Sequence, residues 1–170
     1  MELTVRIKKR LHRFTLNADI ETKSSIALLG ASGSGKSMTL KCIAGIEKPD
    51  SGVIILNGRT LYDSEKGIDL PPQKRKIGYL FQNYALFPNM TVRQNIEVAA
   101  KEKNNVDKLI SDFYLNSIAN KYPDEISGGQ QQRTALARII ASKPEGILLD
   151  EPFSAIDSYL KWKLEMTVSD

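Results

Sequence analysis

The chain opens on two segments in which apolar and polar residues alternate, Leu3–Leu11 and His12–Ile20. Alternation with a period of two puts one set of side chains on each face of a strand, so both segments predict half-buried antiparallel strands. Residues 24–30, "SSIALLG", break the pattern with a continuous apolar run ending in glycine, which predicts a strand buried on both faces. From Ser37 to Ile46 the period lengthens: Met38, Leu40, Ile43 and Ala44 recur at helical spacing. "KPDSG" reads as a turn, "VIILNG" as a strand stopped by its own Asn-Gly pair, and "KIGYLFQ" as a further strand.

After Gln82 the pattern turns mostly helical. "NYALFPNMTVRQNI" reads as a loop leading into a helix capped by Thr91, and Asn105–Leu115 as a second helix. A third helix is expected to start at "SGGQQQR" and run to about Ser142. "EGILLDEP" returns to a buried strand, and Ser158–Thr167 is again helical in pattern. The sum is an α/β core, 1–82 and 131–170, interrupted by a helical subdomain at about 83–130. The length of 170 residues fits one domain with a real core.

Composition narrows the class. The apolar share of 41% is that of a globular chain, and no apolar run approaches the ~18 residues of a membrane span. No apolar signal core follows the N-terminal "MELTVRIKKR". Cys42 is the single cysteine, which excludes an internal disulfide and fits a reducing cytoplasm. Lys and Arg outnumber Asp and Glu by 24 to 20; the clusters "RIKKRLHR" and "QKRK" could meet nucleic acid or anionic lipid headgroups but read first as solvated faces, and no nucleic-acid partner is expected. His12, the only histidine, reads as an exposed strand residue.

Chemistry concentrates in a few short stretches. "GASGSGKS" (Gly30, Ala31, Ser32, Gly33, Ser34, Gly35, Lys36, Ser37) has the spacing of a phosphate-binding loop between strand and helix. Glycines let backbone N–H groups turn toward phosphate oxygens, Lys36 reaches the β- and γ-phosphates, and Ser37 can hold Mg²⁺. "GILLDEP" ends an apolar strand in Asp150 and Glu151, where open α/β sheets bind their ligands. Asp150 is then placed to support Mg²⁺ and Glu151 to deprotonate an attacking water, although a strand ending in polar residues is also ordinary. Gln82 closes a strand and can reach either the metal or the water. Ser127 can cap a helix whose Gly128 and Gly129 leave N–H groups open to an anion, and a second phosphate-facing helix start suggests a nucleotide held between two surfaces.

In this order, "GASGSGKS", Gln82, "SGGQ", "ILLDE" and "SAID" (Ser154–Asp157), the chain resembles ATP-binding cassette ATPases over essentially its whole length. Within that family, "NGRTLYDSEKGIDLPPQKRKIGYLFQNYALFP" looks most like the ATPase subunits of importers for molybdate and related oxyanions. The resemblance implies a P-loop NTPase core with a mixed sheet, N-terminal antiparallel strands and an inserted helical subdomain. It implies ATP and Mg²⁺ as cofactors, with Gly30 to Met38 and, from another copy, Ser127, Gly128, Gly129 and Gln130 around the nucleotide. Metal contacts fall to Ser37, Gln82 and Asp150, catalysis to Glu151 as general base and Gln82 as γ-phosphate sensor, and the subunit contact to Asp157. The implied partners are a second copy, head to tail, and an integral membrane permease met by the Gln82 loop and the helical subdomain; Phe87 and Pro88 in that loop read either as local packing or as part of a partner surface. The implied place is the cytoplasm, peripheral on the inner face of the membrane.

Two departures from the family pattern matter. Its switch histidine should follow a further strand, yet the chain stops at Asp170, so a C-terminally incomplete domain with poor hydrolysis is expected. The family usually stacks adenine on an aromatic in the N-terminal strands, whereas "KKRLHRF" offers no clear match, with Phe14 or His12 as the candidates. The rival class, soluble cassette ATPases of DNA repair or translation, typically carries a long coiled-coil insertion or a tandem second cassette. The compact stretch between Gln82 and Ser127 and the single P-loop argue against both; a non-catalytic nucleotide-binding remnant is a third reading.

Overall fold

The computed structural model describes residues 2–12 and 14–150, which form two compact units divided between Gly78 and Tyr79. The predicted helix Ser158–Thr167, Glu151 and the "SAID" stretch lie outside the described residues.

The first unit is built on an antiparallel sheet. Its strands are β1 (Leu3–Arg10), β2 (Thr15–Thr22), β3 (Ser51–Leu56), β4 (Arg59–Asp63) and the short β5 (Ile68–Asp69), in the order β2-β1-β3-β4-β5. Alternation decides which face is covered: Leu3, Val5 and Ile7 of β1 are buried, while Arg6 and Lys8 on the other face are exposed. Opposite them stand Ile20 and Ala18 on β2 and Ile54 and Leu56 on β3, so apolar pairs face each other in register. The hairpin turn begins at Leu11, whose N–H donates to Phe14 O at 2.9 Å; His12 therefore sits in an exposed bend rather than in a strand. Asn57 (φ 49°) and Gly58 (φ 76°) make the two-residue turn between β3 and β4, the left-handed pair that such a hairpin needs. The second strand of that hairpin, "RTLYD", was not among the expected elements.

Helix α1 (Lys36–Ala44) ends on Gly45, which is left-handed and donates to Cys42 O, and α2 (Pro72–Arg75) is a single turn. "SSIALLG" departs from expectation. Ser25–Gly30 belongs to neither sheet, and Leu29 is 92% exposed. An apolar run becomes a buried strand only where neighbours pair with it, and the sheet of the first unit forms without it.

The second unit is mostly helical. Its helices are α3 (Val92–Glu97), α4 (Val106–Asp112) and α5 (Gly128–Ala141), and β7 (Gly146–Leu149) pairs with β6 (Ile77–Leu80), which crosses the division. Thr91 caps α3 as expected, in a reciprocal box with Gln94. The second helix is shorter than Asn105–Leu115, with a 3₁₀ turn at Lys103–Asn105 before it. Val92, Ile96, Ile110, Leu115, Ala135 and Leu136 meet in one apolar core, which fixes α5 and the end of β6 together.

Candidate functional site

In the first unit the loop Gly30–Gly35 is solvent-facing, and Ser34 N closes a turn on Ala31 O at 3.2 Å. Lys36 folds back over it, its Nζ donating to Gly30 O at 2.7 Å and Ala31 O at 2.9 Å. Those two carbonyls hold the ammonium against the loop. Gly35, the N-cap of α1, has φ 96° and makes no side-chain cap bond to the helix start. A Cβ on Gly35 would stand 2.8 Å from Leu16 Cδ1 and 3.5 Å from Phe14 Cζ, so β2 and the turn before it press against this loop. Ser37 and Met38 follow in the first turn, both half-buried. Phe14 is 40% exposed, an aromatic ring beside the loop with a face left open.

In the second unit Asp150 follows β7, buried, with its N–H donating to Leu80 O at 3.3 Å. Tyr79 donates its phenol O–H to Asp150 Oδ2 at 2.9 Å. Burial first, and that hydrogen bond second, push the Tyr79 phenol well above the ordinary tyrosine value, so it stays protonated and a donor. Sequence reasoning missed Tyr79; its place in "KIGYLFQ" gives no local signal, because its partner lies 71 residues away.

Gln82 lies exposed in the turn after β6. The loop behind it is pinned from two sides. Asn95, fully buried on α3, accepts from Phe87 N at 2.8 Å and donates to the carbonyls of Phe87, Met90 and Thr91. Arg138 of α5 donates to Ala85 O at 2.8 Å and Tyr84 O at 3.0 Å, and its guanidinium lies 5.3 Å from the centroid of the Phe87 ring. Phe87 itself is 47% exposed, outside the core of its unit.

Ser127 caps α5 by accepting from Gln130 N at 3.3 Å, while Gln130 Oε1 accepts from Ser127 N at 2.9 Å. This reciprocal box satisfies Gln130 and orients the helix start. Gly128 is exposed, and a Cβ there would meet nothing within 4 Å. Its own chain does not require glycine at that position. What the missing side chain provides is access from outside to the helix start.

The donor types fit the groups that the motifs suggest. An uncapped helix start behind a glycine loop with a lysine suits a polyphosphate. Serine hydroxyl, carboxylate and glutamine amide oxygens are hard donors suited to Mg²⁺ rather than to a soft transition metal. Among the described residues no cluster of three or more His, Cys, Asp and Glu residues is placed to hold a metal ion by itself. No helix among them is long and apolar enough to cross a membrane.

Comparison with known proteins places these features in context. The family model of ABC transporters matches residues 14–154. The sulfate/thiosulfate import ATP-binding protein CysA of Synechocystis sp. is 43% identical over 170 residues, covering 93% of this chain and 46% of that protein. The molybdenum import ATP-binding protein ModC of Paramagnetospirillum magneticum is 37% identical, covering 91% of this chain and 45% of its own length. The Fe(3+) ions import ATP-binding protein FbpC 2 of Pectobacterium atrosepticum is 43% identical, with coverage of 97% and 50%. The chain thus spans about half the length of these relatives. Among solved structures, the dimeric ATP-binding cassette MJ0796, in a post-hydrolysis state bound to ADP and Pi, superposes with a TM-score of 0.76 at 26% identity, covering 98% of this chain and 80% of that one.

Proposed function

The chain belongs to the ABC transporter family, and from that premise we propose that it is the ATP-binding, ATP-hydrolysing part of an importer energising uptake of a small inorganic ion. The observation that carries this reading is the exposed loop Gly30–Gly35, with Lys36 laid over it and the start of α1 open behind it. Gly30 to Met38 would hold the phosphates through backbone N–H groups, Lys36 would exchange its two carbonyl partners for phosphate oxygens, and Phe14 would offer its ring face to the base. Ser37, Gln82 and Asp150 would hold Mg²⁺, which when bound neutralises phosphate charge as the leaving group departs. Glu151 would take the proton from the attacking water, oriented by Gln82.

The N–H groups of Gly128 and Gly129, at the helix start that Ser127 and Gln130 cap, would meet the γ-phosphate of a nucleotide seated on the loop of a second copy, head to tail. The dimeric state of the MJ0796 cassette supports that arrangement. A permease would dock at the loop Asn83–Met90, for which the exposed Phe87 supplies an apolar contact. Under this reading the chain would lie on the cytoplasmic side of a membrane. The solute would be a small inorganic ion, an oxyanion such as sulfate or molybdate being one class the relatives support. Sulfate/thiosulfate and molybdenum importers both stand close in sequence, which supports that class without favouring molybdate, and an Fe(3+) importer stands equally near.

Calorimetric titration with Mg²⁺-ATP tests the nucleotide site. Lys36→Ala should weaken binding by about tenfold or more, ~1.4 kcal/mol, because it removes the positive charge facing the phosphates. Equal affinity in both proteins would reject it. The solute is read separately, by ATP-dependent uptake of labelled sulfate and molybdate into vesicles carrying the permease and the complete subunit.

A further inference from the structure

β6 and β7 present a tyrosine and a carboxylate to each other at the point where β7 ends. Asp150 is tied to β6 through its N–H on Leu80 O and through its carboxylate on the Tyr79 hydroxyl. The Tyr79 ring is itself steadied by Phe81, with centroids 4.7 Å apart and planes inclined by 58°. Leu80 between them is buried in the apolar core, so this stretch of β6 has little freedom to move. A carboxylate on a strand end turns freely about its last bond unless something holds it. Here a neutral donor at 2.9 Å does so.

We infer that Tyr79 is a positioning residue for the metal-supporting carboxylate: its hydroxyl fixes the orientation in which Asp150 meets the Mg²⁺ of the bound nucleotide. The inference rests on the proposed nucleotide site and goes beyond it, because nothing in the motif "ILLDE" calls for a tyrosine on the neighbouring strand. Groups hydrogen-bonded to metal ligands set ligand orientation, and their loss typically weakens metal affinity by about 10- to 100-fold. A tyrosine that merely satisfies its own hydroxyl would predict no such effect.

The test uses the 170-residue chain loaded with ATP, with Mn²⁺ in place of Mg²⁺ and free Mn²⁺ read by electron paramagnetic resonance; hydrolysis is not needed. Tyr79→Phe removes one oxygen and leaves the ring packed on Phe81. It should leave metal-free ATP affinity within about twofold of the unaltered chain and weaken Mn²⁺ binding to the loaded chain about tenfold. Asp150→Asn should weaken Mn²⁺ at least as much. Phe81→Leu, which disturbs the ring but keeps the hydroxyl, should leave Mn²⁺ affinity near normal. Unchanged Mn²⁺ affinity in Tyr79→Phe beside a clear loss in Asp150→Asn would overturn the inference. So would an equal loss in Phe81→Leu, since general loosening of β6 would then explain the effect. If the unaltered chain bound ATP no better than Lys36→Ala, the nucleotide site itself would be wrong, and this inference with it.

Discussion

Arg75 is the most deeply buried charge among the described residues, 0% exposed, and replacing it with methionine probes what holds α1 in place. Its Nη1 donates to Cys42 O at 2.8 Å and Ile43 O at 2.9 Å, the closing carbonyls of α1. Its Nε donates to Leu70 O at 2.7 Å, and Nη2 reaches Asp69 Oδ1 at 3.0 Å. The guanidinium thus stands where a helix C-terminus favours a cation. Burial lowers its pKa from the ordinary arginine value, Asp69 raises it in part, and the group remains charged.

In Arg75→Met, Cys42 O keeps the Gly45 N–H at 3.2 Å, but Ile43 O and Leu70 O lose the bonds that Arg75 made. An orphaned buried acceptor costs about 1–3 kcal/mol, which applies to Ile43 O, while Leu70 O is part-buried and its loss costs about 1 kcal/mol. The Asp69 pair adds about 1 kcal/mol or less, because that carboxylate is part-exposed. Methionine avoids the desolvation of a buried cation, which offsets about 1–4 kcal/mol. A net loss of about 1–2 kcal/mol is expected, concentrated at α1. Native-state hydrogen exchange reads it locally: protected α1 amides should exchange faster by roughly five- to thirtyfold. Arg75→Lys should recover little, since one ammonium cannot span four acceptors. Exchange at α1 changed by less than about threefold would refute the reasoning, and would mean that other donors already satisfy these carbonyls.

Gly52→Ala should be among the most damaging single-methyl changes in the first unit: its Cβ would stand 1.9 Å from Arg6 O, at φ 114°. Prising β3 from β1 should cost at least about 3 kcal/mol, seen as a lowered melting temperature; an unchanged melt would show that the strands give way freely. Burial pushes the Cys42 thiol up to about 11, whereas an unfolded cysteine ionises near about 8.5. Below the lower value both states hold the proton and the full stability is present. As pH rises between the two values only the unfolded state releases it, so about 2–3 kcal/mol is lost by the upper one. Urea melts at successive pH values should show this loss in the unaltered chain and less of it in Cys42→Ala; equal slopes would refute it.

What could be read in the sequence was what is decided locally. The alternation of Leu3, Val5 and Ile7 gave the first strand correctly, and the caps at Thr91 and Ser127 are settled by a partner three residues on. "SSIALLG" failed for the opposite reason. Apolar runs record that a segment would tolerate burial, whereas burial itself depends on neighbours drawn from elsewhere in the chain. The hairpin to β4 was within reach, since Asn57-Gly58 marks a two-residue turn, but "RTLYD" alternates too weakly to announce its second strand. At the candidate site the phosphate loop and the Asp150 strand end were legible as motifs. Their supports were not: Arg75 reaches back 33 residues to Cys42, and Arg138 reaches 53 to Ala85.

Arg138 shows how such a support joins parts that the motifs list separately. Tyr84 and Ala85 are left-handed at φ 59° and 44°, conformations that cost a non-glycine residue of order 1 kcal/mol each or more. Both carbonyls are gathered by one guanidinium, which also lies over Phe87. The strained turn behind Gln82 therefore exists in the shape that α5 imposes on it. The same helix begins at Ser127, and its buried face, Ala135, Leu136 and Ile139, belongs to the core that holds α3 and Asn95. A rigid helix displaced at its start is displaced along its length. Under the proposed function, engagement of Ser127–Gln130 by a second copy's nucleotide would thus move the Gln82 loop and the exposed Phe87 together with α5. Signature helix, sensor loop and docking side chain would act as one body because Arg138 binds the loop's backbone, whose carbonyls no side-chain substitution in the loop removes.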